Sequence, residues 1–129
     1  MATNHLRIIV VDDDRDNTDS LVWLLRTIGY EAIGCYTGAD CIDIACTSHP
    51  DLILLDLAMP ELDGYAVARS IREHRSCKGT LLIAVSGLTD QSHRQLAIEA
   101  GFDHYLIKPV EVPHLNAILE AGQARRAAV

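Results

Sequence analysis

The sequence predicts an α/β fold: a doubly wound, five-stranded parallel sheet with helices on both faces. Three observations predict it. Short aliphatic runs alternate along the chain with segments of helical periodicity, the pattern of repeated βα units. Two of the runs, Leu52–Leu55 and Leu81–Val85, are apolar without a break, as expected of central strands buried on both faces. Four runs end in a reactive polar group: Leu6–Val11 in Asp12-Asp13-Asp14, Leu52–Leu55 in Asp56, Leu81–Val85 in Ser86, and His104–Ile107 in Lys108. In an open parallel sheet these ends share one edge, which is where such folds bind and react.

Taken in order, Leu6–Val11 is a first strand, apolar apart from Arg7. A helix follows from about Arg15 to Ile28, with Leu21, Leu24, Leu25 and Ile28 on one face and Gly29 as its stop. Glu31–Tyr36 reads as a weaker strand, in which Gly34 indicates an edge position or a bulge. A short helix from Ala39 to Thr47 is stopped by His49-Pro50. After the strand Leu52–Leu55, Asp63 caps a helix over Gly64–Glu73, with Val67, Ala68 and Ile71 inward. Beyond the strand Leu81–Val85, Gln91–Ala100 is helical, with Leu96, Ala97 and Ala100 on one face and Gly101 as stop. His104–Ile107 is the last strand, and a helix over Val112–Arg125 turns Leu115, Ile118 and Leu119 inward. The strand order 2-1-3-4-5 is expected, because it sets the strands carrying Asp12, Asp13 and Asp56 side by side at the switch point.

The chain has 129 residues, the size of one domain, with 49% hydrophobic and 22% charged residues. One domain over 1–129, with its core at about 5–122 and no output domain, is expected. No apolar run approaches the roughly 18 residues of a membrane span, and no signal peptide is visible, so a cytoplasmic location is expected. A formal net charge of −7 argues against nucleic-acid binding by this chain, since phosphate neutralisation needs a basic patch. Cys35, Cys41, Cys46 and Cys77 form no Cys-x-x-Cys pair and read as buried or half-buried thiols.

The strand-end groups bound the chemistry. Three ionised carboxylates from Asp12, Asp13 and Asp56 repel one another in a pocket of low dielectric. Either one stays protonated or a hard cation neutralises them, and Mg²⁺ suits an all-oxygen site best. Asp14, just before the first helix, fits an N-cap. Ser86 has no Gly-x-Ser-x-Gly elbow and no local base, so it makes better sense as a hydrogen-bond donor to an oxyanion than as a nucleophile. Lys108 supplies a point charge to the same oxyanion, and the X-Pro bond to Pro109 can adopt either isomer. Neither a Gly-x-x-x-x-Gly-Lys loop nor a Gly-x-Gly-x-x-Gly turn is present. A phosphoryl group transferred onto a carboxylate gives a labile mixed anhydride, suited to a transient mark.

The chain resembles the receiver domains of two-component response regulators over nearly its whole length. The resemblance lies in Ile8–Asp14, Asp51–Asp56, Met59–Gly64, Ala84–Gly87 and Ala100–Pro109, in this order and spacing. It implies that Asp56 is the phosphoacceptor and that Asp12, Asp13, Asp56 and the Ala58 carbonyl hold Mg²⁺. Ser86 looks like the switch hydroxyl, Tyr105 like the switch aromatic, and Lys108 like the pocket lysine. The resemblance also implies a sensor histidine kinase or histidine phosphotransfer protein as donor. A downstream protein would be engaged through the face of the fourth helix, fifth strand and fifth helix, with a phosphorylation-linked dimer on that face. The chain departs from the family's commonest pattern at Val110, where an aromatic is frequent, and at Ser86, where threonine is commoner. Ala58 and Leu88 are apolar at positions the family uses to tune hydrolysis. Two rival readings are a dehalogenase-like phosphatase using Asp12-x-Asp14 and a pseudo-receiver that is never phosphorylated. The first lacks an acidic pair after Lys108, and the second must explain a complete set of pocket groups.

Overall fold

Each aliphatic run forms a strand in the computed structural model, which describes residues 6–57, 63–87 and 91–127. The strands are β1 (Arg7–Val11), β2 (Glu31–Cys35), β3 (Leu52–Asp56), β4 (Leu81–Ser86) and β5 (His104–Ile107). They alternate with α1 (Arg15–Thr27), α2 (Gly38–Ser48), α3 (Gly64–Glu73), α4 (Gln91–Ala100) and α5 (Val112–Ala127). All neighbouring strands are parallel, in the expected order β2-β1-β3-β4-β5. A 3₁₀ turn over Arg75–Cys77, which no sequence signal announced, joins α3 to β4. None of the described helices is long and apolar enough to cross a membrane.

Strand alternation divides the interior into two layers. One contains Ile9, Ile53, Leu55, Leu82 and Ala84 from the sheet, covered by α2, α3 and α4. The other contains Ile8, Val10, Leu54, Ile83 and Val85, covered by α1 and α5. β3 and β4 are buried at every position, which explains their unbroken apolar runs. Gly29 and Gly101 end α1 and α4 with φ of 107° and 108°, a region where a side chain is strained. Arg72 of α3 ties the far end of the sheet together. Its guanidinium donates to the carbonyls of Gly101, Cys77 and Thr80 and pairs with Asp103 at 2.7 Å, while Asp103 also accepts from the Leu82 amide.

Two expectations are corrected. The inner face of α1 is Thr18, Val22 and Leu25, with Leu21 only partly buried and Ile28 48% exposed. The cause lies in β2. Gly34 lies on an edge strand, one of its two expected placements, in continuous register opposite Val10. Its missing Cβ admits α1, since a Cβ there would sit 2.7 Å from Thr18 Cγ2 and 3.4 Å from Val22 Cγ2. Leu96 of α4 is 49% exposed, because the small Ala97 and Ala100 make the buried contact.

Cys35, Cys41 and Cys77 are buried and Cys46 is half-buried. Burial, reinforced by Asp40, pushes the Cys35 thiol up to about 11. Burial and the neighbouring thiols push Cys41 up as well. Since the thiolate is the reacting species, these groups are protected twice over. In native protein at pH 8, a colorimetric disulfide reagent is expected to titrate Cys46 first, and the other three only on unfolding. Fast reaction of three or more thiols without denaturant would contradict this burial.

Candidate functional site

The site forms where β1, β3 and β5 end. Strand alternation turns Asp12, Asp56 and Lys108 toward the α1/α5 side, because Val10, Leu54 and Leu106, two residues earlier on each strand, face that layer. Asp12 and Asp56 are only 8% and 5% exposed, while Asp13 is exposed. Carboxylate oxygens of Asp12, Asp13 and Asp56 lie within 4.8 Å of one another. Among the described residues, no other group of three histidine, cysteine or acidic side chains converges in this way.

Local hydrogen bonds fix the Asp12 end. Its amide donates to the Cys35 carbonyl at 3.2 Å, extending the β1/β2 ladder by one residue. Asp12 Oδ1 accepts from the Asp14 amide at 3.0 Å, and Asp14 caps α1 by accepting from the Asn17 amide. The buried Thr18 hydroxyl lies 2.8 Å from the Asp12 carbonyl and 3.1 Å from that of Asp14 and shares its one hydrogen between them. Thr18 was not singled out from sequence. Its signal was a hydroxyl four residues after a capping aspartate, in the first turns of a helix.

The Asp56 end is shaped by Gly64. The Gly64 amide donates to the Leu57 carbonyl at 3.0 Å and brings the start of α3 against the end of β3. A Cβ on Gly64 would stand 2.6 Å from the Asp56 carbonyl oxygen and 2.7 Å from Leu57 Cα. Both atoms belong to the backbone, so no rotamer change relieves the clash. Gly64→Ala is therefore expected to cost about 1–3 kcal/mol, the range for overpacking, read as a lower urea midpoint. An unchanged midpoint would contradict this packing.

Lys108 Nζ bridges the two buried carboxylates, 3.2 Å from Asp56 Oδ2 and 3.3 Å from Asp12 Oδ2. Burial alone pulls its pKa down. The negative charges of Asp56 and Asp12, with their hydrogen bonds, outweigh burial and raise it above the ordinary lysine value. The Lys108 amide donates to the Ser86 carbonyl at 2.8 Å, and the bond from Lys108 to Pro109 is cis. Beside these groups, a cavity of about 520 Å³ opens under α1, lined by Leu21, Leu24, Leu54, Val85 and Val110.

Ser86 and Tyr105 occupy the same sheet edge but the other face. Ser86, 2% exposed, follows Leu82 and Ala84 on the α2–α4 side. Tyr105 packs half-buried against that same layer. The register pairs Ala84 with Tyr105 and Ser86 with Ile107, which makes Ser86 and Tyr105 diagonal neighbours across β4 and β5. Ala58 and Leu88 lie outside the described residues.

An all-oxygen cluster at this spacing matches the donor set that Mg²⁺ prefers, and one ammonium offsets only part of its charge. The group at hand for covalent chemistry is the Asp56 carboxylate, held beside a cation and open to a cavity.

Residues 8–120 match the family described as response regulator receiver domain. The transcriptional regulatory protein PrrA of Mycobacterium tuberculosis is 36% identical over 120 residues, covering 93% of this chain and 51% of that protein. The chain spans about half the length of the curated relatives it matches. The receiver domain of sensor histidine kinase PA1611 from Pseudomonas aeruginosa superimposes with a TM-score of 0.84 at 29% identity, covering 93% of this chain and 98% of that one. That structure has a magnesium ion coordinated in its active site cleft. A CheY-like receiver domain protein from Methanospirillum hungatei gives a TM-score of 0.87 at 25% identity, covering 96% of this chain and 98% of that one.

Proposed function

The chain belongs to the response regulator receiver domain family, and on that premise we propose that Asp56 accepts a phosphoryl group from a phosphohistidine and so switches a protein-binding face. The observation that carries this reading is the placement of Lys108 Nζ 3.2 Å from the buried Asp56 carboxylate, within an acidic cluster. The donor is a sensor histidine kinase or a histidine phosphotransfer protein.

An Asp56 carboxylate oxygen attacks phosphorus in line. The new O–P bond forms as the N–P bond breaks, and the departing imidazole takes a proton from solvent. Phosphoryl transfer asks little covalent chemistry of the protein. Catalysis is positioning plus stabilisation of charge on the equatorial oxygens. Lys108 supplies one positive charge for them. Asp12, Asp13, Asp56 and the Ala58 carbonyl would hold Mg²⁺, which when bound supplies the further positive charge. Ser86 then donates its hydroxyl to a phosphoryl oxygen. That bond biases the neighbouring Tyr105 and the surface of α4, β5 and α5, where a downstream protein or a second copy docks. The same pocket catalyses loss of the phosphoryl group to water, so this is a self-limiting switch with no external substrate turned over. We place it in the cytoplasm, with no nucleic-acid contact made by this stretch of chain.

The test is to incubate the protein with acetyl phosphate and Mg²⁺, trap the acyl phosphate with borohydride, and map the modified residue by mass spectrometry. Modification at Asp56 is expected. Modification at Asp12 would overturn the assignment in favour of a phosphatase-like nucleophile.

A further inference from the structure

We propose that Arg94 is a positioning residue: its guanidinium holds Tyr105 against α4 and so sets how readily the β4–β5 edge rearranges. What triggers the rearrangement rests on the phosphoacceptor reading above. The contact itself stands on geometry alone.

The Arg94 guanidinium carbon lies 4.9 Å from the centroid of the Tyr105 ring, within the range of a cation–π contact. It joins α4 to β5. The buried residues of α4 are Ala97 and Ala100, which bury little apolar area, while Leu96 and Ile98 are 49% and 64% exposed. The Tyr65 hydroxyl reaches the His93 carbonyl at 3.5 Å, the long limit of a hydrogen bond. With so little apolar area buried, α4 relies more on its side-chain contacts to neighbouring elements.

Tyr105 is also the diagonal neighbour of Ser86 on the same face of the sheet. On the phosphoacceptor reading, a shift of Ser86 toward Asp56 is passed to this ring through that neighbouring position. The ring can follow only if it leaves Arg94 or draws α4 with it. Arg94 and Tyr105 share a groove of about 500 Å³ with Ile107, Glu111, His114 and Ala117, so either movement reshapes an accessible surface. A partly exposed cation–π contact corresponds to about a two- to five-fold change in an equilibrium.

The experiment is a double-mutant cycle on the full chain, with Arg94→Ala made in the parent and in Tyr105→Leu. The first readout, amide hydrogen exchange of residues 93–100 in unphosphorylated protein, needs no phosphoryl chemistry. Arg94→Ala is expected to speed exchange about two- to five-fold in the parent and not at all in Tyr105→Leu. Arg94→Lys, which keeps the charge but loses the planar stack, should fall between. The second readout is the rate of modification by acetyl phosphate, expected to rise by a similar factor in the parent alone. Equal acceleration in both backgrounds, or none in the parent, overturns the proposal. A parent that takes no phosphoryl group refutes the phosphoacceptor reading separately, and the exchange cycle still decides whether Arg94 holds Tyr105 and α4.

Discussion

Asp56→Asn is expected to abolish modification by acetyl phosphate while leaving the fold intact. The two effects separate because asparagine keeps the shape of aspartate and loses only its nucleophile. Its amide oxygen can still accept from Lys108 Nζ, which lies 3.2 Å from Asp56 Oδ2 in the parent. The change also removes one of three converging carboxylates, relieving repulsion at a residue only 5% exposed. The unfolding free energy from urea titration should therefore stay within about 0.5–1 kcal/mol of the parent. A third consequence is thermal. A ligand that binds only the folded state stabilises it by about 1.4 kcal/mol at ten times its dissociation constant. In the parent, Mg²⁺ should raise the melting temperature accordingly. In Asp56→Asn, with one oxygen donor replaced by a neutral amide, that rise should shrink at the same concentration. Mass spectrometry, urea unfolding and a thermal shift series read the three consequences. Modification persisting at the parent rate would sink the role of Asp56.

The strand ends were legible because a parallel sheet leaves few choices. Once Leu52–Leu55 and Leu81–Val85 were strands, Asp56 and Ser86 had to emerge at one edge, and the strand order brought Asp12 beside Asp56. Lys108 is 96 residues from Asp12 and 52 from Asp56, so only topology, not local spacing, could join them. What stayed hidden was set by contacts between elements. Leucine periodicity pointed to Leu21, Leu24, Leu25 and Ile28 on α1, whereas the Thr18, Val22 and Leu25 face was selected by Gly34, on another strand. Thr18 reads as polar and therefore outward. Its burial works because its hydroxyl is satisfied by two carbonyls of the preceding loop. On α4, Leu96 was expected to share a face with Ala97 and Ala100, yet close packing buried only the alanines. The division of the site between two faces, with Asp12, Asp56 and Lys108 on one and Ser86 and Tyr105 on the other, follows from strand alternation. It could have been drawn from the sequence by counting parity. The stacking of Arg94 on Tyr105 could not, because nothing in a helix sequence says which arginine will find an aromatic ring on a neighbouring strand.

Lys108→Ala separates the electrostatic and chemical roles of the lysine. With the ammonium gone, Asp12 and Asp56 face each other across a buried gap with no cation between them. Breaking a fully buried pair costs about 3–5 kcal/mol. The lysine side chain is 34% exposed, and solvent screening reduces the loss to about 2 kcal/mol. Because the folded-state pKa of Lys108 is raised, its stabilisation is fully present below the ordinary value of 10.5 and is lost as pH rises through the higher folded value. The gap in urea midpoint between parent and variant should therefore be constant from neutral pH to about 10 and close only above that. Added Mg²⁺ should narrow the gap at pH 7, since a cation on the same carboxylates replaces part of the missing charge. It should not restore the rate of modification. Losing one preorganised donor to a developing oxyanion costs about a hundredfold or more, and a cation held by the carboxylates would not supply the N–H donor that Lys108 provides. Acetyl phosphate labelling at saturating Mg²⁺ is thus expected to fall about a hundredfold in a protein whose stability has largely recovered. If stability and rate recover together, Lys108 acts only by neutralising the pocket, and its place in the phosphoryl-transfer step is wrong.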